Sequence, residues 1–216
     1  MTFFLILGST LWSRTLNYCA YLLVREVPTS SYNPRSIYSL AIELLSVFTF
    51  AYSFSTFSTP YLPALWLFFS ALFITMHTDT QTMLISRYTT IYLVPIGWAC
   101  AHFELLPLSP LESITGSFLG LILLWVTAKV SLVLMKTEGL GQGDIDLLAF
   151  IGAFTGPVGC WITLLIGSIS GALCGVVYML LTQQRKNIKL PFGTFLSLGA
   201  LSFLFFKNSL LTFLMS

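Results

Sequence analysis

The sequence predicts an all-α protein, a polytopic transmembrane helix bundle of about eight spans. Three observations carry this: apolar composition, scarcity of charge along the whole length, and apolar segments long enough to cross a bilayer. Of 216 residues, 56% are hydrophobic and only 8% charged, and the mean hydropathy is +0.87. Soluble domains carry about 25% charged residues. So apolar a chain could not cover a water-facing exterior with polar groups, and lipid removes that requirement. The net charge of +2 is too small to suggest a nucleic-acid or acidic surface partner. Cys19, Cys100, Cys160 and Cys174 all fall in apolar stretches without a C-x-x-C pair, so they read as small packing residues rather than metal ligands or a redox dithiol.

A helix needs about 20 mostly apolar residues to cross the hydrocarbon core. On that ruler the segments fall near 3–24, 37–54, 61–78, 88–105, 114–135, 145–156, 158–181 and 192–211. The first lacks a basic start and a small-residue cleavage site, and is read as a retained span rather than a removable signal. The sixth is short, and Gly156-Pro157 reads as a tight turn into the seventh. Arg14 and Lys129 lie inside spans, where they snorkel or pair within the bundle.

Loop charges set the orientation. Arg25, Arg35, Arg87, Lys136, Arg185, Lys186 and Lys189 fall in alternate loops, whereas residues 55–60 carry no Lys or Arg and 107–113 carry only Glu112. The positive-inside rule makes the basic loops cytoplasmic, with Lys207 a mild exception near the outer side. Asp79 closes the third span and Asp144 opens the sixth, so two acids distant in sequence are expected at one membrane depth on the cytoplasmic side.

The other acids divide by setting. Glu104 and Glu112 read as solvated charges on the outer side. Glu43 lies within an apolar run, where an acid needs a partner or a cavity; pairing with Arg14 or Lys129 in helix packing fits it as well as a place in a site. Asp79, in Thr78-Asp79-Thr80-Gln81, is open to two readings, an interfacial helix cap and a chemical group. Asp144 ends Gly139-Leu140-Gly141-Gln142-Gly143-Asp144 directly before an apolar helix. Aspartate caps helices well, but capping alone does not call for Gly139, Gly141 and Gly143. Such glycines allow close backbone approach, room for an extended peptide beside the acid. Two carboxylates in a partly dry site do not both ionise easily and titrate as a unit. That arrangement suits peptide hydrolysis, one acid activating water while the other protonates the carbonyl. His77 and His102 have no adjacent Ser or Cys arrangement. His77, two residues before Asp79, is either a satisfied interfacial histidine or a group that tunes that acid.

At these residues the chain resembles the type IV prepilin peptidases, membrane aspartic proteases of the G-x-G-D kind. The resemblance is carried by Glu138-Gly139-Leu140-Gly141-Gln142-Gly143-Asp144 running into Gly152-Ala153-Phe154-Thr155-Gly156. Asp79 through Ile85 is similar to the family's first-aspartate segment. Leu190-Pro191-Phe192-Gly193-Thr194-Phe195-Leu196 is similar to its P-F-G-P-F-L segment, and Arg35-Ser36-Ile37-Tyr38 with Glu43 to its arginine-tyrosine-glutamate stretch. The resemblance implies a peptidase that removes the leader from prepilin or pseudopilin precursors at the cytoplasmic face of a bacterial inner membrane. Asp79 and Asp144 match the catalytic pair, with Gly141, Gly143, Glu138 and Glu43 shaping the site. Membrane lipid is the other partner implied. Proteolysis of this kind needs no metal or cofactor, and S-adenosylmethionine would serve only if N-methylation of the new terminus is retained.

The chain departs from the pattern in three places. A short cytoplasmic loop, 25–36, stands where fuller members carry a cysteine-rich domain, so zinc is not expected and methyl transfer is in doubt. Ser86-Arg87 replaces the usual Pro-Asp. Asp146 stands where a lysine is common. A transporter using the same buried acids for protons or cations is the alternative from another class.

Overall fold

The computed structural model describes residues 2–25, 32–135, 141–182 and 190–215, with the backbone alone for 2–5, 135 and 208–215. Glu138 and the basic residues Lys136, Arg185, Lys186 and Lys189 lie outside the described residues. The described chain is helical: α1 (Thr2–Val24), α2 (Ile37–Thr56), α3 (Leu62–Thr82), α4 (Val94–His102), α5 (Pro110–Met135), α6 (Gln142–Thr182) and α7 (Phe192–Met215). Among the described residues, four stretches are long and apolar enough to cross a membrane: Ile37–Thr56, Thr59–Thr82, Pro110–Leu134 and Gln142–Thr182. The bundle is therefore all-α and of membrane type.

Local sequence sets the helix ends. The Ser36 hydroxyl accepts the Ser39 amide at 3.1 Å and starts α2, as expected of an N-cap serine. Pro63 lies in the first turn of α3, where its missing N–H removes nothing. The far end of α3 is less ordinary. Met83 closes it in the left-handed region (φ 55), its amide reaching the Asp79 carbonyl at 2.9 Å. That conformation is uncommon for a residue with a side chain, and it turns the chain back over the helix end.

The expected turn at Gly156-Pro157 is present. As a straight rod the 41 residues of α6 would measure about 61 Å at roughly 1.5 Å per residue. Instead Gly156 takes φ +73 and Pro157 follows it. Neighbours on either side reveal a reversal. Gly143 and Gly193 both abut Ile85, and Gly175 abuts Leu190, while Gly159 near the break abuts Phe203 in the other half of α7. Residues 143 and 175 thus share one end of the bundle and 156 occupies the other. The first limb is buried at every position from Ile145 to Gly156, which suits a helix apolar on nearly every side in the middle of a bundle. It lies against α5 backbone to backbone: a Cβ at Gly152 would come within 2.1 Å of the Gly116 carbonyl oxygen, and one at Gly120 within 2.4 Å of that of Leu148.

The expected fourth span, 88–105, is corrected. Thr90 breaks the backbone (φ −128, ψ −94) between two short 3-10 turns, and the helix that follows, α4, has nine residues. At about 1.5 Å per residue that is too short to cross. It is instead a packing element: a Cβ at Gly97 would press on the Phe154 ring at 2.9 Å, and the Trp98 indole donates to Ser117 Oγ at 3.1 Å. Glu104, again left-handed (φ 57), closes it, with the Leu105 amide bonded to the Cys100 carbonyl.

Candidate active site

Asp79 sits in the last turn of α3, 4% exposed. Its Oδ2 accepts the backbone N–H of Thr194 at 2.8 Å and the Thr194 hydroxyl at 3.1 Å. Thr194 belongs to the first turn of α7, whose amides have no intrahelical partner and carry the positive end of the helix dipole. Asp79 therefore caps α7 from another helix, and a second hydroxyl, Thr80 Oγ1, lies 3.0 Å from Thr194 Oγ1. The close approach depends on Gly193, where a Cβ would lie 3.1 Å from Asp79 Oδ2. Sequence reasoning found the segment containing Gly193 and Thr194 but gave it no role; its glycine at a helix start was the available signal.

Asp144 occupies the first turn of α6, partly buried, with its amide bonded to the Gly141 carbonyl at 3.2 Å. The two acids, on separate helices, adjoin the same side chain: Gly143, next to Asp144, and Gly193, beside Asp79, both abut Ile85. A side chain at Gly141 would meet Asp144 Oδ2 at 3.3 Å, and one at Gly143 would collide with Ile85 Cβ at 2.7 Å. On its other side Ile85 Cδ1 lies 2.6 Å from where a Cβ on Gly193 would be. Ile85 is thus wedged between the glycines adjoining Asp144 and Thr194, which requires a hydrogen atom in place of a side chain at both.

The departures Arg87 and Asp146 meet each other. Arg87 Nε lies 3.2 Å from Asp146 Oδ2, the acid's side chain 6% exposed and the arginine's 61%. Gln142 Nε2 donates to Asp146 Oδ1 at 3.1 Å. Asp146 is therefore paired rather than a free negative charge beside Asp144.

Glu43 belongs to a different cluster, between α1 and α2. Its Oε1 accepts from Asn17 Nδ2, whose amide also donates to the Pro34 carbonyl at 2.9 Å. Its partner is thus Asn17; among the described residues neither Arg14 nor Lys129 is ion-paired with it, and Lys129 lies over the Trp125 ring at 5.7 Å. The Tyr32 hydroxyl donates to Asn17 Oδ1, and burial pushes that phenol up to about 12, so it remains a donor at ordinary pH. One link reaches the acid pair: Gln81, two residues past Asp79, accepts the Asn33 amide and donates to Ser39 Oγ, both at 2.8 Å. His77 is buried with both ring nitrogens unpartnered among the described residues. Glu112 accepts from the Ser109 amide and hydroxyl at the start of α5, so it is a helix cap. The four cysteines are free.

A family model described as the type IV leader peptidase family matches residues 66–176, just over half of the chain. The chain belongs to that family. Similar curated proteins carry the name prepilin leader peptidase/N-methyltransferase. That of Aeromonas salmonicida is 32% identical over 125 residues, 56% of this chain and 41% of the relative. That of Xanthomonas campestris is 26% identical over 207 residues, 92% and 69%. That of Pseudomonas aeruginosa is 29% identical over 121 residues, 56% and 41%. The chain thus spans about two fifths of the length of the first of these relatives. No solved structure matches it. The leader peptidase match takes in Asp79, Ile85, Arg87, Asp144 and Asp146, and stops short of Gly193 and Thr194, which contribute from outside it.

Proposed function

We propose that the chain is a membrane aspartic endopeptidase that removes the N-terminal leader from type IV prepilin or pseudopilin precursors. The observation that carries this is the approach of Asp79 and Asp144, on separate helices, through Ile85, one held by the amide end of α7 and the other preceded by Gly141 and Gly143. The ionised member of the pair takes a proton from water as it attacks the scissile carbonyl. The protonated member donates to the carbonyl oxygen, and the roles reverse as the leaving amine takes a proton. Thr194 fixes the Asp79 carboxylate in one orientation, which lowers the reorganisation needed during transfer. Gly141, exposed beside Asp144, leaves room for an extended substrate backbone, while the space at Gly143 is taken by Ile85. The loop charges support an inner-membrane protein with this end toward the cytoplasm. A transporter reading rests on isolated buried acids and draws no support from a coupled pair.

Methyl transfer is the second activity in the relatives' names. S-adenosylmethionine carries a carboxylate, an ammonium, ribose hydroxyls and a purine, and when bound it supplies an electrophilic methyl group. The cavity of about 390 Å3 between α1 and α2 has a donor set that fits, with Arg14 and Arg35 for the carboxylate, Glu43 for the ammonium or ribose and Tyr18 for the purine.

Purified protein incubated with a prepilin-like substrate tests the peptidase. Cleavage at the leader boundary is expected from the parent and not from Asp79→Asn or Asp144→Asn. No cleavage by the parent, or full activity in both variants, would overturn the reading. Labelled S-adenosylmethionine in the same reaction reads methylation separately.

A further inference from the structure

Two acids could be brought together by helix packing alone, yet the segment between α3 and α4 makes contacts with all three helix ends of the site. The chain leaves α3 through left-handed Met83, drives Ile85 between Gly143 and Gly193, and then pairs Arg87 with Asp146. We propose that residues 83–89 form a spacer that fixes the separation of Asp79 and Asp144. Ile85 is its wedge and the Arg87–Asp146 ion pair its latch. Arg87 and Asp146 are then positioning residues; this role rests on the peptidase reading above.

The connectivity favours that role. The segment begins at the end of the helix that carries Asp79, and its latch closes on the residue two past Asp144. The wedge bears on the backbone next to Asp144 and next to Thr194, so a shift of Ile85 moves both supports at once. The latch is strong on one side. Asp146 Oδ1 accepts from Gln142, while Oδ2 has no hydrogen bond among the described residues and faces Arg87 as its counter-charge. A buried charge deprived of its partner is strongly unfavourable, so the acid holds the guanidinium in place. The rest of the segment is stiffened by hydroxyls: Thr89 Oγ1 and Thr90 Oγ1 both donate to the Ser86 carbonyl at 3.0 Å.

The full chain in detergent micelles, with a prepilin-like substrate, provides the test. Asp146→Asn keeps the shape and the Gln142 contact but removes the charge. It should lower kcat on the order of ten- to a hundredfold, the effect of a small misplacement of reacting groups, and leave KM within about twofold of the parent. Arg87→Gln should do the same. The reversed pair, Arg87→Asp with Asp146→Lys, should recover most of the lost kcat. A second readout does not depend on activity: chymotrypsin nicking after Tyr88, which is 71% exposed, mapped by fragment mass. Nicking should accelerate in both single variants and return toward the parent rate in the reversed pair. Parental kcat in Asp146→Asn, or nicking unchanged in both single variants, would overturn the spacer. If the parent cleaves no such substrate, the peptidase reading falls, and the nicking rates still decide whether the latch holds the segment.

Discussion

Two clusters in this bundle hold an acid among membrane helices, and they hold it differently. Around Asp79 the donors are the amide end of α7 and the Thr194 hydroxyl, and a second acid, Asp144, follows the Gly143 that abuts Ile85 on its other side. Around Glu43 the donor is a neutral amide, Asn17, itself tied to Pro34 and Tyr32. The packing differs as well. The first cluster is assembled by glycines that let Ile85 and a helix end come close, the second by side-chain hydrogen bonds between α1 and α2. A costly intramembrane acid is therefore not by itself a mark of proteolysis. What distinguishes Asp79 is a second acid, Asp144, on another helix, joined to it through Ile85 and the glycines on either side of that residue.

Substitutions should separate the two clusters by size of effect. Replacing either Asp79 or Asp144 with Asn should lower the cleavage rate by about four orders of magnitude, the scale of removing one member of a catalytic unit, read from initial rates on a prepilin-like substrate. Gly143→Ala and Gly193→Ala come next. Each added methyl displaces Ile85, and kcat should fall on the order of ten- to a hundredfold; Ile85→Ala added to Gly143→Ala should recover part of the loss. Thr194→Val removes the hydroxyl and keeps the amide, so kcat should fall by about tenfold, the worth of one hydrogen bond to a charged group. The smallest change should come from Glu43→Gln, which keeps an acceptor for Asn17 and should cleave within about twofold of the parent. Glu43→Leu should instead show itself in stability, since it leaves one N–H of Asn17 unpaired, a loss of about 1–3 kcal/mol, read as a lower Tm in detergent. A large fall in cleavage for Glu43→Gln would break the comparison.

Much of this arrangement was legible in the sequence. Apolar length gave the bundle, loop charge put Asp79 and Asp144 at one end, and Gly156-Pro157 gave the reversal inside α6. The misses have physical reasons. The segment 88–105 is as apolar as a crossing helix, but composition does not reveal that the backbone breaks at Thr90 and leaves a helix of nine residues. Its short helix ends on Glu104 in a conformation usually signalled by glycine. The same holds for Met83. The Thr194 bond to Asp79 joins residues 115 apart in the chain, and no local pattern announces such a contact. Arg87 and Asp146 looked like two separate oddities, because pairing is a property of the folded neighbourhood. Glu43 stood out correctly as an acid needing a partner, and a neutral amide filled the place expected of a basic residue.

Whether Asp79 and Asp144 act as one unit is decided most directly by a double-mutant cycle. Cleavage rates would be measured for Asp79→Asn, Asp144→Asn and the variant carrying both. A cooperating pair predicts that the double variant is no slower than the slower single one, because removing either member already removes the pair. Losses that multiply, or a single variant that cleaves at the parental rate, would contradict it.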